Sequence, residues 1–183
     1  MLAVSSTAWA GHSVAPWHEN KTAAFTFTFD DGYDSHIHIA APLLAEREFL
    51  GTFFIIAGNV LWDEWRQEVV PLGHEIGSHT MTHPDLTQLP FNQAQQEIVQ
   101  SKATIEANIP GPCLTFAYPG GIYNSTVETM VKNAGYIGAR TVIGEFIYQT
   151  TDLYQAGPLP PPRQRPCRRW RAWPMGPFRM ESG

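Results

Sequence analysis

Two carboxylates stand side by side at Asp30 and Asp31, followed by Gly32, and two imidazoles lie four positions apart in His79-Thr80-Met81-Thr82-His83. Adjacent carboxylates whose side chains point in different directions can divide the labour, one taking a proton and the other ligating a cation that keeps it ionised. By itself the triplet is also a plain Asp-Gly turn after a strand. On a helical turn, imidazoles four residues apart are about 40° apart and share a face, which suits a single metal ion. Two unrelated surface histidines, or a histidine capping a loop, would read the same. His74-Glu75 with His79 has the wrong spacing for a zinc-protease helix, because five residues swing the second ring about 140° away from the first. A third cluster, Phe116-Ala117-Tyr118-Pro119-Gly120-Gly121, ends in glycines small enough to let backbone N–H groups approach a ligand and form an oxyanion hole. A tight turn is the bland alternative.

The elements around these clusters follow from pattern. Ala23 to Phe29 alternates aromatic and hydroxyl residues, as a strand with one buried face does, and it delivers Asp30-Asp31-Gly32 at its end. Leu43 to Glu48 reads as a helix after Pro42, and Gly51 to Ala57 as a continuous apolar strand of the kind buried in a parallel sheet. Trp62 to Val70 is amphipathic and helical, Glu75 to Ser78 extended, and His79 opens a loop running to Pro84. Phe91 to Ala107 carries a three-to-four residue apolar period. Leu114 to Tyr118 is a strand, Ser125 to Ala134 a helix closed by Gly135, and Ile137 to Val142 the next strand. Strands alternating with helices predict an α/β fold with a mostly parallel sheet, for which a barrel is a natural closure. Chemistry then belongs at the carboxyl ends of the strands, where all three clusters fall.

Composition sets the bounds. The 183 residues are 43% hydrophobic and 16% charged, the profile of one globular domain. No apolar run approaches the ~18 residues of a membrane span, so no transmembrane segment is expected. Met1 to Ala10 ends in Ala8-Trp9-Ala10, which resembles a signal-peptidase site without a basic leader or an apolar run before it. Residues 1–20 therefore read as an extension with a signal remnant. Cys113 and Cys167 have no metal-type spacing. Six of the twelve basic residues are arginines between Arg163 and Arg179, and the stretch from Gly157 holds seven of the fifteen prolines. Its lack of any period argues against nucleic-acid binding. Residues 151–183 read as a disordered or non-native tail, of the composition a frame shift would produce.

Taken together, the clusters and their order resemble the NodB-type polysaccharide deacetylases of carbohydrate esterase family 4. Thr28-Phe29-Asp30-Asp31-Gly32 is similar to that family's first motif, His79 to His83 to its second, and Phe116 to Gly121 to its third. Pro42-Leu43-Leu44, Gly51-Thr52-Phe53-Phe54, Gly73 to Gly77 and Gly135-Tyr136 also match, so the likeness covers about residues 20 to 145. It implies a distorted, here incomplete, (β/α) barrel within about residues 21–150. It also implies Asp30 as the general base, and one divalent metal on Asp31, His79 and His83. Thr80 would tie the loop by a hydrogen bond. Tyr118, Pro119, Gly120 and Gly121 would line the substrate groove, with Gly120 N–H facing the oxyanion. Zinc suits such a donor set, with cobalt, nickel or iron(II) as competitors. The implied partner is an acetylated polysaccharide or oligosaccharide, and the implied location is secreted or cell-envelope. Two departures stand out. All seven histidines lie between His12 and His83, so the family's late general-acid histidine has no counterpart, and Ala117 replaces the arginine that orients the base. Arg140 could substitute. Three readings follow: an acetyl hydrolase, a catalytically impaired metal- or glycan-binding domain, and an inactive truncated product.

Overall fold

The computed structural model describes residues 26–143 and 152–157. Ala23 to Phe25, the extension at residues 1–20, Cys167 and the arginine-rich stretch from 158 onward lie outside the described residues. Five strands, β1 (Phe27–Asp31), β2 (Gly51–Ile55), β3 (Glu75–Ser78), β4 (Thr115–Ala117) and β5 (Gly138–Arg140), form one sheet in the order 1-2-3-4-5. Every neighbouring pair is parallel, as the alternation of strands with helices predicts. The helices between them are α1 (Ala41–Glu46), entered through a wide π-type turn at His36–Ala40, and α2 (Trp62–Glu64), which continues through a second such turn at Trp65–Val69. They are followed by α3 (Phe91–Asn108) and α4 (Ser125–Asn133).

Alternation assigns the two faces of the sheet. Phe53, Ile55, Ile76, Phe116 and Ala139 point outward beneath the helices and are buried with Ile37 and Leu44 before β2, Trp65 and Val69, Ile98 and Ile105 of α3, and Val127 and Val131 of α4. Phe29 stacks on Phe53 with ring centroids 4.8 Å apart. At about 25 cal/mol per Å² of apolar surface removed from water, this layer is the main source of stability. Residues of the opposite parity, Asp30, Phe54, Gly77, Ala117 and Arg140, line the other face.

That second face is concave. A flat sheet would separate β1 from β5 by four strand spacings, about 19 Å, yet the Arg140 guanidinium on β5 reaches both carboxylate oxygens of Asp30 on β1. The sheet therefore curls into an open half-barrel. On the outer edge of β5, Ala156 bridges Arg140, and Ala139 and Thr141 donate their N–H groups to the Leu153 and Ala156 carbonyls. Residues 152–157 thus cover part of that edge, which blunts its tendency to pair with other chains. Among the described residues no helix is long and apolar enough to cross a membrane.

Candidate metal centre

Each element ends where the chemistry begins. β1 stops on Asp31, whose φ of +74° breaks the strand alternation and re-aims the side chain. β3 stops on Ser78, and the chain from His79 to His83 runs as a loop with φ of +68° at Thr80 and +63° at His83. The helical turn that would bring two imidazoles together at this spacing is therefore absent. They are brought together by a loop whose left-handed residues fold it back on itself. Such conformations are unfavourable for residues with a Cβ, on the order of 1–3 kcal/mol each, and collect where function demands a geometry. The loop is cross-braced: His79 N–H donates to Ile55 O at 2.9 Å, and His83 N–H donates to the Thr80 hydroxyl at 2.9 Å, the tie expected of Thr80. On its outer side the loop meets Glu97 of α3, which accepts from Met81 N–H, Thr82 N–H and the Thr82 hydroxyl.

Asp31 Oδ1 lies 3.6 Å from Nε2 of His79 and 3.6 Å from Nε2 of His83. Donors around a tetrahedral ion at about 2.05 Å are roughly 3.3 Å apart, so this spacing fits one small divalent cation. Among the described residues these three side chains are the one group whose ligand atoms, all within 4.8 Å of one another, could hold a metal. The proton inventory fits as well. His79 Nδ1 lies 2.8 Å from Ala117 O, a partner that can only accept, so the proton is on Nδ1 and the lone pair on Nε2 faces Asp31. Burial, the largest influence, lowers the His79 pKa and favours the neutral ring a ligand must be. His79 is buried, while 37% of the His83 side chain is exposed, leaving the centre open on one side.

Asp30 sits beside this group without belonging to it. Both its oxygens accept from Arg140, whose side chain runs along the concave face with Cζ 5.4 Å from the Phe54 ring centre. Gly77 and Ala117 have no bulk on that face. The position where the family's arginine would stand is an alanine, and the guanidinium arrives from the next strand instead. Nothing in the sequence positions Arg140 against Asp30; only the curl of the sheet does. His74 is remote from the centre, at the opposite end of β3, where Gly51 N–H donates to its Nδ1 and its Nε2 meets Ala41 O.

The third cluster is mostly buried. Tyr118 reaches the strand end, but its ring is buried against Phe116 and Tyr123, its hydroxyl donates to Tyr154 O, and its N–H donates to Arg140 O. It has no donor left for a ligand, because pairing with β5 uses the backbone and packing uses the ring. Pro119 and Gly121 are buried too, and Gly121 N–H donates to Tyr118 O. Gly120, exposed with φ of +60°, is the member of the four that faces outward.

The family model described as "Polysaccharide deacetylase" matches residues 18–139. A peptidoglycan-N-acetylglucosamine deacetylase of Bacillus cereus is 33% identical over 119 residues, 64% of this chain and 55% of that protein. A chitooligosaccharide deacetylase of Rhizobium leguminosarum bv. trifolii is 33% identical over 110 residues, 59% of this chain and 51% of that protein. The chain thus spans about half the length of these relatives. Among solved structures, the Streptococcus pyogenes deacetylase PplD in complex with acetate is similar with a TM-score of 0.70 at 22% identity, covering 73% of this chain and 62% of that one. IcaB from Ammonifex degensii is similar with a TM-score of 0.65 at 22% identity, covering 73% and 66%. At that identity the structural likenesses speak to the fold.

Proposed function

Because the chain belongs to the polysaccharide deacetylase family, we propose that it hydrolyses acetyl groups, N-linked and by extension O-linked, on a polysaccharide or oligosaccharide. The observation that carries this reading is the convergence of Asp31, His79 and His83 beside a separate carboxylate, Asp30, held by Arg140. Asp31, His79 and His83 would hold one divalent ion, for which zinc is the best match to a donor set of one carboxylate and two imidazoles. When bound, such an ion polarises an acetyl carbonyl and acidifies water.

The remaining work falls to the chain itself. Asp30 takes the proton of the attacking water as general base, with Arg140 fixing the direction of its lone pairs. Gly120 N–H would donate to the oxyanion of the tetrahedral intermediate. Cleavage of the acetyl C–N or C–O bond requires a proton on the departing amine or alcohol. Asp30, once protonated by the attacking water, can return that proton to the departing group. This chemistry is assigned to the unit at residues 21–150, and a secreted or cell-envelope location would suit such a substrate.

The test is acetate release from an N-acetylglucosamine oligomer and from acetylated xylan, with metal content measured on the same preparations. Wild type should carry about one zinc and release acetate, and Asp31→Ala and His79→Ala should lose both. Asp30→Asn should keep the metal and lose turnover by 10²–10⁴-fold. A wild type that holds metal but releases no acetate would favour the reading as a metal- or glycan-binding domain instead.

A further inference from the structure

The loop that carries the two imidazoles is gripped from both sides. On one side, Ala57 and Gly58 donate their N–H groups to the Thr80 and Met81 carbonyls, each at 2.9 Å. On the other, a single carboxylate from the middle of α3 spans the loop between the two histidines. Glu97 Oε2 accepts from Met81 N–H and Thr82 N–H, each at 2.9 Å, and Oε1 accepts from the Thr82 hydroxyl at 2.8 Å. Successive backbone N–H groups turned toward one anion form a concavity that holds it firmly.

Glu97 itself is rigidly mounted. Its neighbours on the helix, Ala94 and Ile98, are 1% and 0% exposed, and Ile98 O accepts from the Ser101 and Tyr136 hydroxyls. The position of the carboxylate is therefore tied to the core rather than to the surface. Within the loop, Thr80 and His83 occupy the left-handed region, which residues with a Cβ adopt only when their surroundings enforce it. The His79 ring has its own anchor on Ala117 O. Among the described residues His83 has no comparable ring anchor, and its separation from Asp31 depends on the path of the loop.

We propose that Glu97 is a positioning residue for the metal centre, which through Met81 and Thr82 fixes the loop path that brings His83 to the ion already faced by Asp31 and His79. The proposal rests on the metal-site reading above. Partners at this remove from an ion commonly contribute 10–100-fold to affinity. With Glu97 shortened, the Met81 and Thr82 N–H groups turn to water and His83 loses its set distance, while Asp31 and His79 stay in place.

The experiment is a zinc titration of the full chain in competition with a chelating dye, together with the absorption spectrum of the cobalt form and the melting temperature of the metal-free protein. Glu97→Ala should bind zinc 10–100-fold more weakly, with a cobalt spectrum shifted toward that of His83→Ala. Glu97→Gln should stay within about threefold of wild type, since its amide oxygen can accept both N–H groups and its NH₂ can donate to the Thr82 hydroxyl. Should Glu97→Ala fail to fold, Thr82→Val removes one donor at an exposed site and should weaken binding by about threefold. Equal affinity in wild type and Glu97→Ala overturns the proposal, as does a loss in Glu97→Ala that Glu97→Gln fails to recover. A wild type that takes up no zinc overturns the metal-site reading, and the part assigned to Glu97 with it.

Discussion

Asp30 meets a guanidinium that starts on the far edge of the sheet, and the two oxygens it engages are those a general base would use. A planar fork on both oxygens holds the carboxylate plane in a way that a point charge does not. Arg140→Ala is expected to lower kcat by about 10–100-fold, the rate equivalent of a charged hydrogen bond of roughly 1.5–3 kcal/mol. Metal content should be unchanged, and Arg140→Lys should recover only part of the rate. Equal turnover in wild type and Arg140→Ala would assign the pair to folding alone. Burial also leaves a pH signature. It pushes both His79 and His36 below their ordinary pKa of 6.5, against the opposing pull of Asp30 and Asp31. Between these lowered values and about 6.5 the unfolded chain binds more protons than the folded one. Stability of the metal-free protein is therefore complete above pH 6.5 and falls on acidification below it. Urea midpoints at pH 7.5 and 5.5 check this, and His79→Asn should flatten the difference; an equal drop in both proteins would remove His79 from the explanation.

At the scale of elements, the strands were legible because each alternates or runs apolar over the length that the sheet buries. The ends of the elements were not. The residues before α1 wind as a π-type turn to which the pattern assigned no element, whereas the loop read from His79 onward is a loop in the structure, although the spacing of its imidazoles would equally suit a helical turn. Spacing alone does not distinguish a helical turn from a loop closed by left-handed residues. Gly121 shows how tightly the strand ends are packed. At its φ of +70° an added Cβ would stand 2.4 Å from Val142 Cγ2 and 2.5 Å from Val142 N, closer than atoms approach without displacement. Gly121→Ala should destabilise the fold by about 1–3 kcal/mol, from strain and overpacking together. Gly120→Ala has open space around it beyond Ile122, which is in ordinary contact, so only the conformational cost at φ +60° remains. A urea midpoint for Gly121→Ala no lower than for Gly120→Ala would contradict this packing argument.

The described residues form a half-barrel with its apolar layer outside and its polar strand ends gathered on the concave side. Cys113 reports on that layer. It is 1% exposed, and burial pushes its thiol up to about 12, so little thiolate forms at neutral pH in the folded state. Alkylation of Cys113 by iodoacetamide at pH 8, followed by peptide mass mapping, should proceed only as fast as the protein opens. Its rate should rise steeply across the urea transition. Rapid labelling in native buffer would mean that the layer beneath α3 opens locally.

Sequence alone determined the parallel α/β order, the location of three polar clusters at strand ends, and the family, because strand period, turn chemistry and local motif are all short-range properties. The same short-range motifs single out Asp30, Asp31, His79 and His83. Tertiary structure decided which groups meet. Arg140 reaches Asp30 across 110 positions, and Glu97 reaches the His79–His83 loop from a helix on which a glutamate is unremarkable. It also buries the Tyr118 ring and pairs its N–H with Arg140 O. These contacts depend on how far the sheet curls and how α3 seats against it. That is set by the summed packing of residues distant in the chain, which no local pattern encodes.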